Sequence, residues 1–447
     1  MKNIFLLIII LLFEKTNAQC WQTIAAGIDH NAAIRTDGTL WIWGNNDFGQ
    51  LGDGSVAEKI TPAQVGTDTD WLKVFAGSYT TFAIKIDGTL WAWGRNKNVS
   101  LGTGEIVLSN IPVQVGTDTD WDKLASGDDH ITALKTNGTL WTWGNNTDSA
   151  LGSGMAIKSK IYPEQVGTDT NWAIIQAGKH SSVAIKSDGT LWLWGRNPFA
   201  EVDKGILQTI ITPTQLGTDA NWAAVTLREH SIIGIKTNGT LWIWDNNALS
   251  EFGNYSTSNI PKPLQIGTDT NWQSLSGVNK NVLALKANNT LWIMKDTPGG
   301  DNETLTNLEM VKVGKESDWQ CISMLGNHFL ALKSDNKLYA FGDSDFGRIG
   351  NKAKAPSAVN CTSSGLKSLD TKSHFIMYPN PVGNVLNLNG SNGFKVDRLV
   401  VTDLSGKTVI QLKGNIKQID TYKLQAGMYL LELYGEGNIF RAKFIKK

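Results

Sequence analysis

The chain repeats itself every fifty residues. Asp37-Gly38-Thr39-Leu40-Trp41 returns at 87–91, 137–141, 188–192 and 238–242, with Asn replacing Asp in the third and fifth copies. Asn288–Trp292 and Asp335–Tyr339 are weaker copies, and the spacings are 50, 50, 51, 50, 50 and 47 residues. A second marker opens each unit: Trp21, Trp71, Trp121, Trp172, Trp222, Trp272 and Trp319. From the second unit on, it follows a loop of the type Gly66–Asp70. Both markers count seven. A period of this length means that each unit is one supersecondary element whose apolar face is buried only by its neighbours.

Each unit reads as short strands. Ala32–Arg35 and Leu40–Trp43 flank Asp37-Gly38, the strongest short hairpin signal, in which both central residues are expected to take positive φ. By the two-residue period, Leu40 and Ile42 share one face, and Trp41 and Trp43 the other. Both faces are apolar, so the strand is expected to be buried on both sides. No stretch carries sustained helical periodicity. Seven units of about four strands predict an all-β, seven-bladed β-propeller closed on itself. An open solenoid is the alternative, but its terminal repeats are usually atypical, and here the first unit is among the most regular.

Composition follows from the repeat. All 18 Trp fall within residues 21–319, at three repeat positions. The zero net charge is a cancellation: residues 19–364 hold 27 basic and 34 acidic groups, and residues 365–447 hold 12 and 6. The acidic repeat region argues against nucleic acid.

The unit Ala26-Gly27-x-x-His30, then Asp37 to Trp41, Trp43-Gly44, Asn46 and Gly49-Gln50-Leu51-Gly52, resembles the regulator of chromosome condensation repeat over residues 21 to about 361. That resemblance implies a seven-bladed propeller. It implies no one function, since the family includes a nucleotide-exchange factor and secreted inhibitors of β-lactamase.

The two ends read as addresses. Lys2, the apolar run Ile4–Phe13 and small residues Thr16 and Ala18 match a secretory signal peptide over residues 1–18. The run is too short for the roughly 20 residues of a spanning helix, and no later segment could span a membrane. After a linker at 365–373, residues 374–447 alternate as strands of a small β-sandwich. Tyr378-Pro379-Asn380-Pro381, the turn at Gly406, Gly427-Met428-Tyr429 and the ending through Lys446 resemble a type IX secretion C-terminal sorting domain. The resemblance implies export from a member of the Bacteroidota, recognition by the type IX machinery, and release or attachment at the cell surface.

Three cysteines exclude a disulfide-rich scaffold and a four-cysteine zinc site. Cys20 and Cys361 bracket the repeats, and closure of the ring would bring them together; we expect a disulfide there, with Cys321–Cys361 as the alternative.

Little in the chain points to catalysis. There is no Gly-x-Ser-x-Gly elbow, phosphate loop or His-Glu-x-x-His. His30, His130, His180, His230 and His328 recur at one position to within a residue. A zinc ion would need them to converge at the axis, so a structural histidine is favoured, and the resemblance implies a bond to backbone. Asp68/Asp70, Asp118/Asp120 and Asp169/Asn171 lack the oxygen count of a calcium loop and read as turn-closing residues. The Trp pairs read as core with their N–H groups satisfied. No metal or cofactor is expected. A binding surface is sought instead in the loops after Trp-Gly, at Phe48, Phe199, Glu201, Asp203, Tyr255, Asp301 and Phe346. The expected function is a monomeric, exported, non-enzymatic binding module for an extracellular protein or glycan. The alternatives are an extracellular enzyme with an unrecognised loop-borne site and, third, a nucleotide-exchange-like regulator.

Overall fold

The computed structural model describes residues 21–104, 107–155, 157–196, 209–228, 231–245, 263–278, 281–298 and 306–342. In the C-terminal part it describes 375–378, 384–390, 397–402, 407–414, 416–425, 427–435 and 438–446. The chain forms two compact units, Met1–Gly365 and Leu366–Lys447.

The first unit is a seven-bladed β-propeller. Its first blade is an antiparallel meander of β1 (Trp21–Ala26), β2 (His30–Arg35), β3 (Leu40–Gly44) and β4 (Lys59–Gln64). Five more four-stranded sheets follow in the same order, and a seventh shows three strands among the described residues. Consecutive blades meet through their first strands, which places those innermost. The ring closes. Leu330, Leu332, Leu338 and Ala340 of the last blade share a cluster with Trp21, Ile24, Ala33 and Trp43 of the first. The Ala26 N–H donates to Ser323 Oγ across this seam at 2.9 Å.

The two-residue period explains why β3 is apolar throughout. Leu40 and Ile42 pack with Trp71, Ala83 and Trp93 of the second blade. Trp43 and Trp41 pack the opposite way, toward the last blade. Each blade is therefore a wall between two cores, with no face to spare for solvent.

The hairpin turn corrects the expected geometry. Gly38 takes φ 80°, and Asp37 does not join it at positive φ. The Gly38 N–H donates to Arg35 O at 2.9 Å, closing a turn one residue longer than a two-residue loop. Asp37 serves differently: its Oδ1 accepts from the Thr39 N–H at 3.0 Å and the Thr39 hydroxyl at 2.6 Å. In the sixth and seventh blades the glycine's place is taken by Asn289 and Asn336, at φ 60° and 62°. Asparagine tolerates that conformation better than other side chains.

The outermost strands leave an open edge. Pro62, Pro112, Pro163 and Pro213 occupy these strands in the first four blades. Proline removes a ladder donor, so the edges are poor templates for another strand.

The second unit holds two sheets. One orders Phe375–Tyr378, Val385–Gly390 and Gln418–Asp420. The other orders Thr408–Lys413, Arg398–Thr402, Gly427–Gly435 and Asn438–Lys446. Leu386, Leu388 and Ile419 from one sheet and Leu399, Val401, Leu431 and Leu433 from the other form a single apolar cluster. Tyr429 is buried with them and donates its hydroxyl to Gln425 O at 3.0 Å. Gly427 pairs with Lys446 in the terminal hairpin, and Tyr378 ends the first strand. Pro379, Asn380, Pro381 and Gly406 lie outside the described residues.

Candidate functional site on the loop-bearing face

A four-stranded meander puts its loops on two faces. The β2–β3 turns and the links to the next blade lie on one, called here the lower face. The β1–β2 and β3–β4 loops lie on the other, the upper face.

The lower face repeats one arrangement. Lys135, at the end of its second strand, stands 5.0 Å from the Trp121 ring centroid and 4.2 Å from that of Trp141. Its ammonium lies 2.8 Å from Asp118 and 3.0 Å from Asp120. Burial alone would lower its pKa; the two carboxylates outweigh that and hold it above the ordinary lysine value. Lys85 sits likewise between Trp71 and Trp91, with Asp68 and Asp70. Lys186, Lys236, Lys286 and Lys333 repeat the pattern with Asp169, Asp219, Asp269 and Asp318. The expectation that these aspartates close local turns is thus corrected. They are the anionic half of a caged lysine that ties each link loop to its blade.

The three tryptophans of a unit have separate roles. The middle one donates its indole N–H to the turn threonine, as Trp141 does to Thr139 Oγ1 at 2.9 Å. The last reaches into the preceding blade, as Trp143 Nε1 does to Ser100 O at 2.8 Å. The opening one differs from expectation: in Trp71, Trp121, Trp172, Trp222, Trp272 and Trp319 the buried N–H has no acceptor. Trp121 sits edge-on to both other indoles, with centroids 5.8 and 5.9 Å apart, so rings rather than acceptors surround it.

The histidines divide into two sets. His30, His130 and His328 begin second strands and are buried. Their Nε2 atoms bond to side chains of the next blade, not to backbone: Thr81 Oγ1 at 2.9 Å, Ser182 Oγ at 2.9 Å and Asn31 Oδ1 at 2.8 Å. Burial pulls His30 from 6.5 to about 3 and His130 to about 4. His180 is displaced by one residue, because Ser181 takes the strand position opposite Gly195. It stands in the upper loop. His230 lies outside the described residues.

The upper face changes from seam to seam. In each case a β3–β4 loop meets the β1–β2 loop of the next blade. At the first seam Phe48 meets Tyr79 edge to face, with centroids 5.2 Å apart, and the Arg95 guanidinium lies 4.7 Å and 5.4 Å from the two rings. At the second, Asn98 Nδ2 donates to Asp129 Oδ2 at 2.9 Å. At the third, His180 Nδ1 lies 2.8 Å from Asp148 Oδ2. One template thus carries an aromatic–cation pair, an amide–carboxylate bond and an imidazole–carboxylate contact.

The loops that present these groups are stiff. Asn46, Asn96 and Asn146 are buried, and each accepts from the Leu51, Leu101 or Leu151 N–H. Their amide nitrogens bond carbonyls further along, such as Ala57 O, Gly104 O and Ile157 O. The Leu-Gly-x-Gly ends then reach sideways: the Gly54 N–H donates to Asn110 O, and the Gly154 N–H to Ile211 O, both at 2.8 Å. Asn98 and Val99 hold positive φ, 55° and 59°, an uncommon state for a β-branched residue.

Of the sequence-derived candidates, Phe48 falls on this face. Phe199, Glu201, Asp203, Tyr255, Asp301 and Phe346 lie outside the described residues, as do Cys20 and Cys361. Cys321 is a free, exposed thiol. Tyr79, Arg95, Asn98, Asp129 and Asp148 were not singled out from sequence. The signal for them is a repeat column that fails to repeat: Phe48, Asn98, Asp148 in one loop and Tyr79, Asp129, His180 in the other. Among the described residues no three His, Cys, Asp or Glu groups converge as a metal site, and no helix is long and apolar enough to cross a membrane.

The repeats match the RCC1-like domain over residues 8–374. The chain belongs to the RCC1-like domain family. Residues 376–447 match the secretion system C-terminal sorting domain. Such a tail directs export to the cell surface or beyond, through the type IX machinery. Among solved structures, the RCC1-like propeller is similar to human WBSCR16, with 16% identity, TM-score 0.59, and 71% of this chain and 88% of that chain covered. It is also similar to Prp20p from Saccharomyces cerevisiae, described with its binding to Gsp1p and histones, with 20% identity, TM-score 0.57 and coverages of 71% and 84%. At these identities the likeness shows the fold alone. No individually curated protein matches. The protein is thus an exported RCC1-like propeller carrying a sorting tail.

Proposed function

We propose that the working protein, residues 19–364 after loss of leader and sorting domain, is a non-enzymatic module that binds a protein ligand on its upper face. The carrying observation is the contrast of faces: the three upper seams differ in chemistry while the scaffold beneath them repeats. Rigid loops with variable side chains are where binding residues usually reside. Tyr and Arg at the first seam are residue types enriched in protein hot spots. A glycan platform is less favoured, because Phe48 and Tyr79 cross at 66° and share a guanidinium, leaving no flat open ring. Prp20p is a precedent for protein ligands on this fold; its partners are not carried over.

The test is capture of surface and secreted proteins from the producing cell. Wild type is compared with Phe48→Ala/Asp129→Ala/Asp148→Ala and with Thr67→Glu/Thr117→Glu on the exposed lower face. The reading expects loss in the first variant and retention in the second. The opposite pattern would move the site to the lower face.

A further inference from the structure

We propose that Arg95, laid across Phe48 and Tyr79 at the seam of the first two blades, is a receptor for carboxylate side chains, so that the bound partner presents an acidic segment there. This deepens the upper-face reading and rests on it. Arg95 closes the third strand of its blade, and its backbone N–H is fixed on Tyr79 O at 2.9 Å. Its side chain is planted on two rings from two different blades. Stacking of this kind restrains the guanidinium through its face and leaves its edge, with the N–H fork, available for hydrogen bonds.

Among the described residues that fork is unused. No carboxylate among them pairs with Arg95 and no acceptor among them takes its side-chain N–H groups, whereas the lysines of the lower face are each paired with carboxylates. The vacancy is notable in a repeat region of 27 basic and 34 acidic groups, where a partner would be easy to supply. Asp47, beside Phe48, accepts from the Asn45 amide at 2.9 Å instead. The upper-face acids Asp129 and Asp148 are held by Asn98 and His180. A planar, pre-oriented fork without a partner matches the two oxygens of a carboxylate. Its aromatic flanks suit the alkyl stem of a glutamate, which favours a peptide over a polyuronate.

The test is fluorescence anisotropy with labelled hexaglutamate, hexaglutamine and oligogalacturonate, on the exported chain with its tail retained. Hexaglutamate is expected to bind saturably and to weaken with added salt. Arg95→Gln is expected to weaken it about tenfold or more, with partial recovery in Arg95→Lys, since a lysine keeps the charge but loses the fork. Phe48→Ala, which leaves the charge and removes one platform, is expected to weaken it less. Unchanged unfolding midpoints show that these variants remain folded. Equal binding by wild type and Arg95→Gln, no binding at all, or preference for oligogalacturonate would each overturn the proposal. Partner capture lost in Asp129→Ala/Asp148→Ala but kept in Arg95→Gln would sink this site while leaving the upper-face reading standing.

Discussion

The lower face of the propeller says one thing over and over; the upper face says something different at each seam. Below, a lysine between two indoles and a carboxylate recurs from blade to blade. Above, the equivalent positions hold Phe48 and Tyr79, then Asn98 and Asp129, then Asp148 and His180. The difference separates what holds the blades together from the face proposed here for recognition. Repetition is the mark of a residue that answers to its own blade. Divergence on an unchanged backbone is the mark of one that answers to something else.

The sharpest way to strain this comparison is through the shared core. Trp143→Ala removes a fully buried indole and its bond to Ser100 O. It should cost about 4 kcal/mol in urea unfolding, and a loss below about 1 kcal/mol would mean that the seams are not packed as described. Next comes acid. Folded His30 and His130 are depressed below the unfolded value of 6.5, to about 3 and about 4, so the unfolded chain takes up protons first. The stability of neutral burial is present above pH 6.5 and is lost as pH falls toward those values. The slope is about 1 kcal/mol per pH unit for each histidine. Urea midpoints followed from pH 7 to 4.5 should flatten in His30→Asn/His130→Asn; an unchanged slope would assign the acid sensitivity elsewhere.

Smaller effects separate the faces directly. Lys135→Ala strands two aspartates and bares two rings, and should cost about 2 kcal/mol. Lys186→Ala, which strands one aspartate and bares the two equivalent rings, should cost somewhat less; a negligible loss measured by thermal melting would break the idea of a repeating cage. Val99→Gly relieves a β-branched residue at φ 59° and should gain about 1 kcal/mol. Asp148→Ala should change stability by less than about 0.5 kcal/mol, since its partner His180 is half exposed. A large loss there would turn that upper pair into scaffold.

Much of the fold was legible because the repeat reports it many times. Trp41 and Trp43 opposite Leu40 and Ile42 follow from the strand period, and seven markers fix the number of blades. Finer geometry was legible only in part. Asp37-Gly38 announced a hairpin, but whether one or both residues turn to positive φ depends on how Asp37 bonds Thr39. His180 looked like one of the five histidines at a single repeat position and is a loop residue, because one position of slip in a strand end moves a side chain from core to surface. The seam pairs were hidden for a different reason. Phe48 and Tyr79 belong to different units, and no local period links a residue to its neighbour across a closed ring.

The closing contact has one more consequence. The bond from His328 to Asn31 across the ends of the ring repeats, in kind, the bond from His30 to Thr81 between blades next to each other in the chain. Seen from within the ring, the junction between last and first is one more neighbour contact. Which blade comes first is then a property of the gene rather than of the particle. A circularly permuted chain, cut in any link loop and rejoined across the old ends, has the same circle to complete.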